Sequence, residues 1–125
     1  MSKAAMSLRI FGVYLMLLGV TLVTVPNLLL PIFGLAPTGE AWIRVVGVLA
    51  FNISIYYWFA APSEWRPLFV ASIFARVMVL AAFTLFVMLG LAKPILILFG
   101  AVDAAGGLWT WLALRPAAAT AAARA

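Results

Sequence analysis

The sequence predicts an all-α protein, an integral membrane four-helix bundle with short loops and one longer apolar interfacial loop over residues 26–40. Three observations predict it. First, 68% of the 125 residues are hydrophobic and 9% are charged. A soluble domain is about 45–50% apolar and about 25% charged, so too few charges remain here to cover a water-facing surface. Second, four stretches come close to the ~20 apolar residues that a helix needs to cross a ~30 Å hydrocarbon core. Third, proline stands at the boundaries between them, where it ends a helix or opens its first turn. Barrel strands, at ~10 residues of alternating polarity, do not fit such long apolar runs.

The first helix is expected over about 8–25 and stops at Pro26-Asn27. Lys3 and Arg9 resemble the basic end of a signal peptide, but the apolar run is long and no small-x-small cleavage site follows, so it is read as retained. Residues 26–40, PNLLLPIFGLAPTGE, carry Leu28, Leu29, Leu30, Ile32, Phe33 and Leu35. That is too apolar for a solvated loop and too proline-broken to cross, which suggests an interfacial or re-entrant segment lying over the bundle. The second helix is expected over about 41–60, ending at Ala61-Pro62-Ser63-Glu64, and the third over about 68–91, after Pro67. The fourth is expected over about 94–114, ending at Arg115-Pro116, so that residues 1–115 form one domain. Residues 116–125 read as a frayed, alanine-rich tail.

The formal charge is +5. Basic residues stand singly at helix junctions rather than on one face, so they point to membrane topology and not to nucleic acid. With a cytoplasmic N-terminus, Lys3, Arg9, Arg66, Arg115 and Arg124 lie inside, against Arg44 and Lys93 outside. This bias favours a multi-pass chain with both termini in the cytoplasm.

Two charges lie away from the helix ends. At 1.5 Å per residue, Arg76 in the third helix and Asp103 in the fourth are each roughly 14 Å deep, and Asn52 in the second is roughly 16 Å deep. An unpaired charge at that depth costs at least ~2.5–3.5 kcal/mol, so an Arg76–Asp103 ion pair is expected, with Asn52 satisfying leftover groups. Arg44, Val48, Asn52 and Tyr56 follow helical spacing, as if lining an inward polar stripe. Ser72 shares a face with Arg76, and Gly107 and Thr110 share one with Asp103. Gly12 and Gly19 share a face that would let a neighbouring helix approach closely. Arg44, Asn52, Tyr56, Arg76 and Asp103 form the candidate cluster, either a clamp that sets helix register or a ligand site. Arg44, near a helix end, could instead snorkel to the headgroups.

The aromatics Trp42, Trp58, Trp65, Trp109 and Trp111, with Tyr56 and Tyr57, match an interfacial belt. A flat hydrophobic ligand such as a quinone or lipid would use the same side chains. Cysteine and histidine are both missing, which removes thiolate chemistry, serine triads and the usual haem and copper ligands. No metal and no cofactor are expected, and no residue stands out as catalytic.

The chain resembles the small four-helix bacterial membrane proteins called BphX-like, within the broader DoxX-like set. The resemblance rests on Trp42-Ile43-Arg44-Val45-Val46-Gly47 and Tyr56-Tyr57, then Phe69, Ala75-Arg76, Asp103 and Trp109-Thr110, and it covers roughly residues 8–115. It implies a protein of the bacterial cytoplasmic (inner) membrane. Members of the set are linked to oxidative or thiol-related membrane complexes, while this chain has no cysteine. Small multidrug transporters are similar in length, but they need a carboxylate in the first helix, and LRIFGVYLMLLGVTLVTV has none.

The expected function is therefore that of a non-catalytic accessory or scaffold subunit. It would sit in the lipid bilayer within a larger membrane complex or a homo-oligomer. The alternative is a binder or transporter of a small hydrophobic or anionic ligand, such as a lipid or quinone, at a midplane polar site. A membrane enzyme ranks third, with Asp103 as its only embedded acid or base.

Overall fold

The computed structural model describes the backbone of residues 1–124 and the side chains of residues 1–115. Helix α1 (Lys3–Thr24) begins well before Leu8, because Ser2 caps it and its hydroxyl accepts from the Ala5 amide at 3.1 Å. It ends where Pro26 forces Val25 out of helical geometry, at φ −136° and ψ 60°. Helix α2 is the short Pro26–Leu29, α3 is Trp42–Ala60, α4 is Arg66–Met88 and α5 is Ile95–Arg124. Four of these, α1, α3, α4 and α5, are long and apolar enough to span a membrane. The chain is thus an all-α, multi-pass membrane protein whose apolar flanks contact lipid.

Two ends differ from the sequence expectation for local reasons. Helix α4 stops at Met88 rather than running to Leu91, because Gly90 takes a left-handed φ of +75°. The Leu91 amide then donates to the Phe86 carbonyl at 2.8 Å and the Gly90 amide to Val87 at 3.0 Å, closing the carbonyls of the last turn. Helix α5 continues through Pro116 to Arg124 instead of ending at Arg115. Alanine is the best helix former, so the run after Pro116 sustains the helix at the loss of one hydrogen bond. Whether the side chains of 116–125 are frayed lies outside the described residues.

Residues 26–40 fold back over one end of the bundle. The turn that follows α2 closes at Gly34 (φ +76°), with the Leu35 amide on the Leu30 carbonyl at 2.8 Å. Leu30 is fully buried beside Leu22 and Ile43, and the Phe33 ring lies 4.0 Å from that of Phe99.

Helix α1 is the centre: a third of its best apolar window (33%) is buried, against 11% for α4. It packs on α3 and on α5, and α4 packs on α5, whereas α3 and α4 share no comparable face. Glycines set the two closest approaches. A Cβ on Gly19 would stand 2.7 Å from the Gly47 carbonyl oxygen, and one on Gly47 would stand 2.8 Å from that of Gly19. Across α4 and α5, a Cβ on Gly100 would stand 2.9 Å from the Leu80 Cα. Such contacts hold helices together where lipid tails remove the hydrophobic driving force.

Candidate functional site

Arg76 is 2% exposed in the middle of the bundle. Its Nε donates to the Ser72 carbonyl at 3.0 Å, and its Nη2 donates to Ser72 Oγ at 2.9 Å and Thr110 Oγ1 at 2.8 Å. Thr110 Oγ1 also lies 2.8 Å from Ser7 Oγ, so α1, α4 and α5 meet through three hydroxyls and one guanidinium. The guanidinium carbon sits 4.8 Å from the centre of the Phe11 ring, a cation–π distance. Nη1 has no partner.

The expected Arg76–Asp103 ion pair is not made. Gly107, not Asp103, stands opposite Arg76: a Cβ on Gly107 would lie 3.6 Å from the Arg76 Cβ. Asp103 is therefore about one turn, roughly 6 Å, further along. Direction separates the two groups as well. A helical side chain leans toward the N-terminus of its own helix. In the antiparallel pair α4 and α5 that sends Arg76 toward Thr110 and Asp103 the opposite way.

Asp103 faces a cavity of about 240 Å³ instead. Its walls come from α1 (Tyr14, Leu15, Leu18, Leu22), α3 (Trp42, Ile43, Val46) and α5 (Leu96, Phe99), with Phe83 of α4. Phe33 and Leu35 of the folded-back segment complete the lining. Leu15, Leu22 and Ile43 are buried and form the floor, whereas Leu35, Trp42 and Val46 are exposed and mark the mouth. Around the carboxylate the lining is apolar apart from the Tyr14 phenol. A second recess of about 300 Å³, with Arg66 and Arg115 among its lining residues, is a groove between α4 and α5 alone.

The remaining members of the predicted cluster are elsewhere. Arg44 donates through Nη1 to the Val23 carbonyl and, at 3.4 Å, to that of Thr24. It thus caps α1, where a cation also complements the helix dipole. Asn52 and Tyr56 are exposed, Tyr56 at 70%, so the stripe through Val48 points outward. The inward line of α3 is Ile43, Gly47, Ser54 and Tyr57. Tyr57 stacks at 6.3 Å on Phe11, which also meets Tyr14 at 5.4 Å.

Ser7, Phe11, Tyr14 and Tyr57 are the site neighbours that sequence reasoning passed over. Ser7, Phe11 and Tyr14 fall at i, i+4 and i+7, one face of α1, and that spacing could have marked them. A comparison with protein-family models, with curated proteins and with solved structures finds no match to this chain.

Proposed function

We propose that this protein binds a small, mostly apolar molecule carrying one hydroxyl or amine group. The molecule would lie in the cavity between α1, α3 and α5 with its polar group on Asp103. The carrying observation is the cavity itself: about 240 Å³ of apolar wall with a single carboxylate in it. An apolar cavity of ~150 Å³ is enough to hold benzene, so this one has room for a ligand of roughly two rings. A carboxylate accepts hydrogen bonds from hydroxyl and amine groups, which favours such a ligand over an anion. Arg76, the one buried cation among the described residues, is turned away toward Ser72 and Thr110.

An accessory or scaffold role built on an Arg76–Asp103 clamp has less support, because the clamp is open and a cavity lies beside Asp103. Binding and membership of a larger complex are compatible. We further propose a place among the BphX-like, DoxX-like proteins of the bacterial inner membrane, on the motif residues quoted above. Both termini would be cytoplasmic, supported by the lysine and arginine bias; reporter fusions at either terminus should be active only on the cytoplasmic side.

The binding test uses 1-aminonaphthalene as probe with purified protein in detergent, read by quenching of tryptophan fluorescence. Wild type should bind saturably at one site. Asp103→Asn should weaken binding roughly 10-fold, the scale of one charge-assisted hydrogen bond. Leu18→Trp should abolish it by filling the space. Equal binding by all three proteins would overturn the proposal.

A further inference from the structure

We propose that two copies of this chain pair in the membrane along the outer face of α3, in parallel, with Asn52 hydrogen-bonded to Asn52 of the second copy. Among the described residues, the extensive packing of helix α3 on another long helix is with α1. It uses a seam through the buried Ile43, Gly47, Ser54 and Tyr57 and on to Ala61, which the half-buried Ala50 completes to alternating steps of four and three residues. The opposite side repeats the spacing: Val45, Leu49, Asn52, Tyr56 and Phe59 advance by four, three, four and three. That is the heptad spacing by which two helices interlock side by side. The same residues form the outermost line of the helix, with Val45 at 55%, Leu49 at 57%, Tyr56 at 70% and Phe59 at 77% exposed. One seam is used inside the chain, and an equivalent one has no partner among the described residues.

Asn52 is what points to a second copy rather than to lipid. It sits near the middle of the 19-residue helix. At that depth its exposed amide would face hydrocarbon, which offers neither donor nor acceptor. Two copies inserted with the same topology can be related by a two-fold axis along the membrane normal. Their α3 helices then run parallel, and each residue on the axis meets its own counterpart. An amide carries both donor and acceptor, so it is complementary to itself in that arrangement. A single polar residue in an otherwise apolar seam also fixes register, here with Asn52 level with Asn52.

The chain lacks cysteine, so single-cysteine variants report cleanly. In native membranes under a mild oxidant, Leu49→Cys and Tyr56→Cys should give the disulfide-linked dimer. Phe74→Cys, equally exposed but on α4, should not. In bilayers, Asn52→Leu should lower the dimerisation constant roughly 3-fold to 30-fold, the range that one interhelical hydrogen bond supports. Its helix content and resistance to unfolding should stay at wild-type levels, which separates loss of pairing from loss of fold. Cross-linking that is equal at all three positions, or confined to Phe74→Cys, would overturn the proposal. So would capture of Leu49→Cys only by a protein of different mass, or an unchanged dimerisation constant for Asn52→Leu. Because the readout is dimer and not ligand, failure here would leave the cavity reading standing, and failure of probe binding would leave the dimer.

Discussion

The two ends of the bundle are built differently. At the end where α1 starts and α4 starts, Leu8, Phe11, Phe69 and Leu114 form a close core under the Ser7, Ser72, Arg76 and Thr110 hydrogen bonds. Arg9 ties α1 to α3 there, donating to the Trp58 carbonyl at 3.1 Å while lying 4.3 Å from the Trp58 ring centre. Glu64 accepts from the Ser2 amide at 2.8 Å and from its hydroxyl at 2.6 Å. At the opposite end the fully packed group is Leu22, Leu30 and Ile43, and beside it the helices leave the Asp103 cavity. In lipid, apolar surface gains little by leaving its solvent, so rigidity follows close packing and satisfied polar groups. One end has close packing and a hydrogen-bond network joining three helices, and the other keeps space.

The largest expected effect tests that contrast directly. Phe69→Ala should lower stability by about 3–5 kcal/mol in a denaturant titration, as for a large side chain removed from a packed core. Phe99→Ala, beside the cavity, should cost about 1 kcal/mol, since its neighbours are already incompletely packed. Equal losses would erase the distinction. Next, Gly19→Ala should destabilise by about 1–3 kcal/mol, because the added methyl meets backbone that cannot yield without parting α1 from α3.

Smaller still is Arg76→Met, expected to change stability by no more than about 1 kcal/mol. The arginine already leaves Nη1 unpartnered. Ser72 and Thr110 retain their own carbonyl acceptors, Phe69 at 2.7 Å and Gly106 at 3.2 Å. A loss of several kcal/mol would mean that the polar network, and not the apolar packing, holds this end. The smallest effect concerns pH. Hydrogen bonds from Ser2, first its hydroxyl and then its amide, hold the Glu64 carboxyl below its ordinary value of 4.5. A depressed folded-state value means that this contribution is complete above about 4.5 and disappears as pH falls through the lowered value. For an exposed carboxylate it should amount to less than about 1 kcal/mol. Glu64→Gln should flatten that part of the stability–pH curve, and an unchanged curve would remove Glu64 from the account.

How much of this was legible in the sequence depends on which physical signal each feature leaves. Length and apolarity mark a spanning helix, and Pro26 and Pro67 bound helices whether or not neighbours are known. The apolar character of 26–40 likewise announced a segment laid against protein. The rotation of α3 left no comparable signal. A helix bounded by lipid on one side and protein on the other is apolar all round, so the spacing of Arg44, Asn52 and Tyr56 was as compatible with an inward line as with the outward one observed. Depth along the axis placed Arg76 and Asp103 close together, but counting residues says nothing of the lean of each side chain, which carries them apart. Ser2 as the cap of α1 was readable, since serine ahead of a helical run is a standard start signal.

The neighbour relations of the long helices bear on the order of assembly. The most extensive packing joins α1 to α3 and α4 to α5, partners that follow each other along the chain. Synthesis delivers the first pair before the second exists. Arg44, by closing the end of α1, lets that first hairpin satisfy its own carbonyls while it waits in the bilayer. The docking of α1 against α5 then joins two finished hairpins. The Asp103 cavity, walled by both, comes into being only at that last step, so binding of a probe there would report completed assembly rather than insertion alone.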